Sequence, residues 1–407
     1  MGWGHACVQL RNQLLRLILL TALALPLGVA LAQAQSAVVP KKHEALYRQL
    51  ERQLGRFVAQ VPWTTSDRPV LRGAAWAAAG CDPVPTLLEE PRRERALREL
   101  DALARAGAQL VTLEVCYPLL SSRFQDPRPT LEHYANLANA VRLRGMKLLV
   151  RSRALPPTDG SITASRYYVR LGKERFFRER YDDAKSIALA LQPDYLTLVA
   201  DPLRDTAALK LTTRDWRGFL RRTTADLKAA LGDFTPALGA ELGLSASAEL
   251  VDALAAVPGL DYIELRVDRL ATQREQFLPR LLSWPERIRS IDPGKRILIG
   301  DAWLYKAGAQ EAAGAMPKPG ITARDVYSFW APLDIDFLRV LVHAARAGSM
   351  EAVVASRPRY LFAYLDFFDP TIFRATPLLL MELAERQANA AIAGARLTDT
   401  GRAFGAL

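Results

Sequence analysis

The chain has 407 residues, half of them apolar and 24% charged, which is the composition of an ordinary globular protein. This length accommodates one large domain or two smaller ones and excludes a chain too small to form a sizeable core. The formal net charge is +11, but the sequence has no basic run interleaved with aromatics and no nucleic-acid motif, so we expect no nucleic-acid partner.

Residues 1–34 have the layout of a secretory signal peptide. Arg11 and Arg16 precede the apolar run "LILLTALALPLGVALA", and the small-residue cleavage sites "ALA" and "AQA" follow. The run has roughly 16 residues and is interrupted by Pro26, whereas a membrane span needs about 20. We therefore expect cleavage, a periplasmic or extracellular mature protein, and no stable membrane span after cleavage. An uncleaved membrane anchor is the alternative.

Residues 35–68 are predicted to form a helical extension before the main domain, because the segment 41–63 carries apolar residues at a helical period. From residue 69 onward, short apolar runs alternate with amphipathic helices, and eight such pairs follow one another. Several of these helices end near a glycine, as a left-handed cap requires. The predicted strands are 70–76, 109–115, 147–152, 194–200, 236–241, 261–267, 295–300 and 359–365.

Strands that alternate with helices predict a parallel sheet, and continuous apolar strands indicate that both faces of the sheet are covered. Eight such units over about 330 residues fit a (β/α)8 TIM barrel, which we assign to residues 69–407. An open, doubly wound sheet is the alternative. It is disfavoured because no predicted strand ends in a glycine-rich phosphate loop.

Two cysteines, Cys81 and Cys116, remain after the predicted cleavage. An exported compartment permits a disulfide, but spacing alone does not show bridging distance, so a disulfide and two free buried thiols both stay open. Four histidines and the lack of CxxC or HExxH lead us to expect no metal and no cofactor. Without GxSxG or a histidine at a strand end, serine or cysteine nucleophilic catalysis has little support. His343, inside a predicted helix, is interpreted as structural.

Charged and aromatic residues gather at the predicted strand ends, which meet at the catalytic face of this fold. Charged side chains are rarely buried without a partner, so the carboxylates here imply ion pairs with nearby arginines, or contacts with water or a ligand. A structural ring of salt bridges is the alternative. The predicted substrate-binding residues are Trp76, Glu114, Tyr117, Arg151, Arg153, Glu241, Arg266, Trp303 and Asp366.

Two apolar runs of the same form lead to an aspartate: "DYLTLVAD" ends at Asp201 and "KRILIGD" ends at Asp301. With these residues in place, most of residues 69–370 resembles the clan of retaining (β/α)8 glycoside hydrolases, most nearly its endo-β-1,4-galactanase and cellulase-like members. In that clan an Asn-Glu pair ends strand four and supplies the acid/base, and a Glu ending strand seven is the nucleophile. The resemblance therefore implies catalytic roles for Asp201 and Asp301, and a carbohydrate ligand.

Both catalytic glutamates of the clan are aspartates here. Retaining chemistry needs carboxyl groups roughly 5 to 5.5 Å apart, and inverting chemistry roughly 6.5 to 9.5 Å. Each Glu-to-Asp change retracts a carboxyl by about 1.5 Å. The wider gap favours inverting hydrolysis of a β-linked polysaccharide, with Asp201 as the acid and Asp301 activating water.

Two interpretations other than hydrolysis stay open, and the first is a protein without catalysis. The clan's Asn before the acid/base is Ala200 here, and its arginine on strand two is Glu114. The barrel is therefore alternatively a catalytically inactive carbohydrate-binding or envelope polysaccharide-associated protein. The sequence does not show which of two arginines approaches Asp301 instead, Arg151 or Arg266. A third interpretation is a site for phosphate esters or anionic polymers, lined by Arg151, Arg153 and Arg266.

Overall fold

Eight parallel strands form a closed barrel in the computed structural model, in which each strand pairs with its sequence neighbours and β8 closes on β1. The strands are β1 Leu71–Ala75, β2 Leu110–Tyr117, β3 Lys147–Ala154, β4 Tyr195–Val199, β5 Ala237–Gly243, β6 Tyr262–Val267, β7 Arg296–Ala302 and β8 Ala352–Ala355. The structure describes residues 38–61, 69–81, 84–154, 170–200, 202, 209–267, 277–308, 311, 319–372 and 374–407. This arrangement confirms the predicted TIM barrel.

Helices surround the strands in the described part of the chain. The α-helices are α1 Lys41–Gln60, α2 Val84–Leu87, α3 Glu90–Arg105, α4 Arg128–Leu143, α5 Lys173–Leu191, α6 Thr213–Leu231, α7 Ala248–Ala255, α8 Phe277–Ile291, α9 Pro319–Thr322, α10 Ala331–Ala347, α11 Pro377–Ala393 and α12 Asp399–Ala406. Short 3-10 helices are Ala77–Ala79, Gly232–Phe234, Ala323–Val326, Ser328–Trp330 and Pro358–Leu361. Gly107, Gly145 and Gly259 have positive φ between a helix and the next strand, where a left-handed residue ends the helix.

The barrel interior changes from apolar to polar along the strands. Its amino-terminal end is an apolar layer formed by Leu110, Leu149, Tyr195, Tyr262, Leu298, Ala352 and Val354. Because side chains alternate along a strand, the next inward positions lie two residues further on, and there the barrel has buried polar and charged side chains. The carboxyl-terminal end of the barrel interior is thus polar and lies on an apolar layer.

The eighth strand was predicted wrongly. Strand β8 is the four-residue run Ala352–Ala355, whereas the predicted segment 359–365 lies in the loop that follows it and begins with a 3-10 helix. That segment is apolar because Tyr360, Tyr364 and Leu365 pack in a hydrophobic cluster outside the barrel. A short apolar run does not by itself distinguish a strand from a buried loop.

Helix α1 packs against the barrel, on helix α10. The ring of Tyr47 stacks near Trp330 with centroids 5.7 Å apart, and Nε2 of the buried His343 lies 3.4 Å from the carbonyl oxygen of Val61. His343 therefore has the structural surroundings that the sequence analysis predicts. The predicted signal peptide, residues 1–34, lies outside the described residues. Among the described helices, none combines the length and apolar character that crossing a bilayer requires.

Cys81 and Cys116 form a disulfide that joins the segment after β1 to the end of β2. Their Cα atoms are 5.7 Å apart and the two residues are separated by 35 positions in sequence. The structure thus decides between the two states that the sequence left open.

We predict that reducing this disulfide lowers the free energy of unfolding by about 3 to 4 kcal/mol, because the bridge closes a loop of that length in the unfolded chain. Urea unfolding with and without dithiothreitol measures the change. The double variant Cys81→Ser/Cys116→Ser is the control, since dithiothreitol should leave its stability unchanged. Equal stability of the oxidised and reduced wild-type protein would contradict this prediction.

Candidate active site

A β-bulge turns Asp301 into the barrel. Along β6 and β7, Leu265 pairs with Ile299 and Arg266 then pairs with Asp301, so Gly300 is an extra residue in β7. An extra residue shifts the side-chain alternation of the strand by one position. Asp301 therefore shares the inward face with Arg266, whereas an unbroken ladder would place Gly300 there and turn Asp301 outward.

The Asp301 carboxylate is 17% exposed and lies beside the guanidinium of Arg151, with Oδ2 3.6 Å from Nη1. Burial raises the pKa of Asp301, but Arg151 and a hydrogen bond from Ser356 outweigh burial, so that the pKa lies below its usual value. The carboxylate is therefore ionised at neutral pH. Among the described residues, the arginine closest to Asp301 is Arg151 on β3, and this answers the question that the sequence left open.

Arg151 lies at the centre of a network of carboxylates and is itself 2% exposed. Its Nε donates to Glu264 at 2.6 Å, and its Nη2 donates both to Glu264 and to the carbonyl oxygen of Gly300. Carboxylate oxygens of Glu114 and Glu241 lie 3.9 and 4.0 Å from the guanidinium. A buried charge of this kind is tolerated because several acceptors compensate for its lost hydration.

The other two predicted arginines are also ion-paired. Arg153 Nη1 lies 3.2 Å from Glu114, and Arg266 Nη1 lies 3.1 Å from Glu241. The structure therefore brings together six of the residues predicted for the site, and each arginine among them contacts a carboxyl group of the protein itself: Glu114, Arg151, Arg153, Glu241, Arg266 and Asp301. Arginines that already have such partners disfavour a site for anionic polymers.

Glu241, on β5, has no measurable exposure. Burial raises its pKa to about 8, and Arg266 and Arg151 only partly offset that effect. Among the described residues, neither carboxyl oxygen of Glu241 has a hydrogen-bond partner, and the 3.1 Å contact with Arg266 lacks hydrogen-bond geometry. At neutral pH the site thus contains one carboxyl that favours its neutral form, Glu241, and one that favours its ionised form, Asp301.

The sequence analysis missed Glu264, which makes the closest contacts with Arg151. It lies in the middle of β6, whereas only strand ends were considered. A signal was present, because Tyr262, Glu264 and Arg266 alternate along one face of the strand, and a carboxylate inside an otherwise apolar strand needs a partner. Thr197 was missed as well, although its hydroxyl donates to Glu264 at 2.6 Å.

The three predicted aromatic residues lie in packed surroundings. Trp76 is 2% exposed and its indole NH donates to the carbonyl oxygen of Ala96, while Trp303 is 1% exposed and donates to Asp325. Tyr117 has no exposed surface, and its hydroxyl donates to Glu179 at 3.0 Å. Such burial disfavours stacking of these rings on a sugar.

Two further predicted residues lie away from the network or outside the described chain. Asp366 is exposed and lies in the loop after β8, where its carboxylate accepts a hydrogen bond from the backbone NH of Phe368. It is not the end of a barrel strand, because β8 ends at Ala355. Asp201, the predicted acid, lies outside the described residues.

Comparison with solved structures finds glycoside hydrolases among the similar chains. An exo-β-1,4-mannosidase from Opitutaceae bacterium strain TAV5 is 13% identical with a TM-score of 0.48, over 82% of this chain and 63% of that chain. A thermostable mutant xylanase from Cellvibrio japonicus is 12% identical with a TM-score of 0.45, over 74% and 88%. The β-mannanase of Alicyclobacillus acidocaldarius is 10% identical with a TM-score of 0.42, over 82% and 100%.

The chain thus spans less than two thirds of the length of that mannosidase. Comparison with known protein families and with curated proteins finds no match. Identities of 10 to 13% do not establish a shared family or a shared activity.

We predict that Glu241→Gln flattens the pH dependence of stability. The pKa of Glu241 is about 8 in the folded protein and about 4.5 in the unfolded chain. The folded protein therefore binds this proton more tightly, and the free energy of unfolding decreases as the pH rises from about 4.5 to about 8. Wild-type stability should therefore fall relative to the variant by up to about 1.4 kcal/mol per pH unit over this window. Urea unfolding at several pH values between 5 and 8 measures the difference.

Glu286→Gln, at an exposed position of helix α8, is the matched control and should follow the wild-type pH dependence. Asp183 and Glu99 also have pKa values raised by burial, to about 7, but they are unchanged in both variants and cancel in the comparison. A pH dependence in Glu241→Gln equal to that of the wild type would show that Glu241 is ionised in the folded protein.

Proposed function

We propose that the chain is an exported (β/α)8 glycoside hydrolase that cleaves a β-linked polysaccharide. The observation that supports this proposal best is the partly exposed, ionised carboxylate of Asp301, which the bulge at Gly300 turns into the barrel. In this fold, chemistry is found at the carboxyl ends of the strands. Hydrolysis of a glycosidic bond requires one ionised carboxylate to act on water or sugar and one acid to protonate the leaving oxygen.

Asp301 is the proposed base. Its environment fits that role, because Arg151 and Ser356 favour the ionised carboxylate that accepts a proton from water. Asp201 is the proposed acid, on the basis of its predicted place at the end of strand four. An inverting mechanism and an affiliation with endo-β-1,4-galactanases follow from the sequence resemblance and are part of this proposal.

Export is proposed from two features. Residues 1–34 have the layout of a signal peptide, and the disulfide between Cys81 and Cys116 is of the kind that persists in oxidising compartments. We therefore propose a periplasmic or extracellular protein with a carbohydrate as its ligand.

The alternative function is binding of an envelope polysaccharide without turnover. The ion pairing within the site favours this alternative, since Arg151, Arg153 and Arg266 all contact carboxylates of the protein itself. Turnover distinguishes the two functions, because both predict binding of a glycan and only the first predicts release of new reducing ends.

We predict that Asp301→Asn abolishes hydrolysis, lowering kcat by about 1000-fold or more with little change in glycan binding, because the amide cannot accept a proton from water. Release of reducing ends from galactan, mannan, xylan and cellulose measures turnover, and calorimetry measures binding. Asp226→Asn, at an exposed position of helix α6, is the matched control and should keep wild-type activity. Wild-type protein that binds a glycan but releases no reducing ends would favour the alternative function.

We predict that hydrolysis inverts the configuration at the anomeric carbon. A β-linked substrate should then release the α-anomer first, since water attacks from the face opposite the leaving group. Proton NMR during the first minutes of hydrolysis, before mutarotation equilibrates the product, distinguishes the anomers. Initial formation of the β-anomer would show retention and would contradict the proposed role of Asp301 as a base.

A further inference from the structure

We propose that Thr197 and Glu264 are positioning residues that orient the guanidinium of Arg151 towards Asp301. This inference rests on the proposed function of Asp301 as the base of the site. Thr197 and Glu264 have no exposed surface and are buried inside the barrel, on β4 and β6. They do not reach a substrate themselves and act through Arg151.

The hydrogen bonds run in one direction through three side chains. Thr197 has a single hydroxyl proton, which it donates to Glu264 Oε2 at 2.6 Å. The hydroxyl of Tyr262 lies 2.7 Å from Thr197 Oγ1 and therefore donates to it. The other oxygen of Glu264 accepts from both Nε and Nη2 of Arg151. Each oxygen of the Glu264 carboxylate thus has its own donors.

This arrangement leaves one nitrogen of Arg151 for the site. Nε and Nη2 are occupied by Glu264, and Nη2 also donates to the carbonyl oxygen of Gly300. Nη1 is the nitrogen that faces the acids, at 3.6 Å from Asp301 and 3.9 Å from Glu114. Because a guanidinium is planar and rigid, fixing two of its nitrogens also fixes the direction of the third.

Two glycines provide the space for this arrangement. A Cβ atom on Gly300 would lie 1.9 Å from Glu264 Oε1, and one on Gly239 would lie 2.2 Å from the ring of Tyr262. Any other residue at either position would displace the side chains that hold Arg151. The two strands that flank β6 thus have glycine next to its large inward side chains: Gly239 on β5 next to Tyr262, and Gly300 on β7 next to Glu264.

Several groups besides Arg151 affect the pKa of Asp301, so a test must isolate the effect of positioning Arg151. The charged groups that face Asp301 are Arg151 and Arg153 on β3, Glu241 on β5 and Arg266 on β6, and Ser356 after β8 donates a hydrogen bond to it. Thr197→Val replaces one hydroxyl with a methyl group and changes no charge, and Thr197 pairs with Arg151 across the two neighbouring strands. It is therefore the cleanest substitution available.

The experiment is a 13C NMR titration of the full-length protein labelled at the aspartate carboxyl carbon, with Asp301→Asn identifying the Asp301 signal. Thr197→Val should raise the titration midpoint of the Asp301 signal by roughly 0.5 to 1 pH unit. The reason is that Arg151 would be held less firmly beside Asp301, and a neighbouring arginine lowers a carboxyl pKa by about 1 to 3 units. Thr197→Ser retains the hydroxyl and should restore the wild-type midpoint. If Thr197→Val does not fold, Thr197→Ala removes the same hydroxyl and replaces it.

Thr112→Val is the matched control. Thr112 is 2% exposed on β2, two residues beyond the apolar layer, and its hydroxyl has no hydrogen-bond partner in the described structure. This variant should leave the Asp301 midpoint unchanged. A midpoint in Thr197→Val equal to the wild type would overturn the inference, and so would equal changes in Thr197→Val and Thr112→Val, since these would indicate a packing effect.

The titration needs no substrate, so it separates this inference from the proposed function. Where turnover is found, Thr197→Val should lower kcat, leave KM unchanged and move the acidic limb of the pH profile upward with the NMR midpoint. Shifted midpoints in a protein that hydrolyses no glycan would keep the positioning role and reject the function. Unshifted midpoints in an active hydrolase would reject the positioning role and keep the function.

Discussion

The buried charge of Arg151 is the constraint on which the rest of the site depends. Removing a guanidinium from water costs several kcal/mol, and the cost is offset only when the surrounding groups accept its hydrogen bonds. Glu264 and the carbonyl oxygen of Gly300 meet this requirement. Once this charge is inside the barrel, the strands on either side of β6 must have glycine where Tyr262 and Glu264 need space.

Two carboxyls near this guanidinium differ in protonation. Asp301 is partly exposed and accepts a hydrogen bond from Ser356, so that pairing with Arg151 outweighs burial. Glu241 is fully buried, and its pairing with Arg266 does not outweigh burial. One neutral and one ionised carboxyl follow from the difference in exposure and hydrogen bonding rather than from the residue type. A pair separated in this way is characteristic of sites that perform acid–base chemistry.

Hydrophobic periodicity was sufficient to predict the barrel and seven of its strands, because long buried strands leave a clear apolar pattern. It failed at β8, whose four residues are too few to stand out from the apolar loop after them. Periodicity was also insufficient for the site. The expectation that site residues lie at strand ends selected Arg151 and Asp301. It did not predict the bulge at Gly300, because the bulge depends on the pairing register between β6 and β7, which are distant in sequence. Glu264 was missed because it lies in the middle of β6, and its partner Arg151 is 113 positions away in sequence.

A second buried ion pair fixes the segment that follows Asp301. Lys306 is fully buried and pairs with Asp334 at the start of helix α10, and Asp334 also accepts a hydrogen bond from Tyr364. Asp325 accepts from the backbone NH of Lys306 and from the indole of Trp303, so the chain after β7 is anchored at two points. Asp301 thus lies between two anchored regions, the bulge before it and this segment after it. In the proposed role of Asp301 as the base, a carboxylate held from both sides would need little reorganisation during the reaction, which is the condition under which electrostatic stabilisation is most effective.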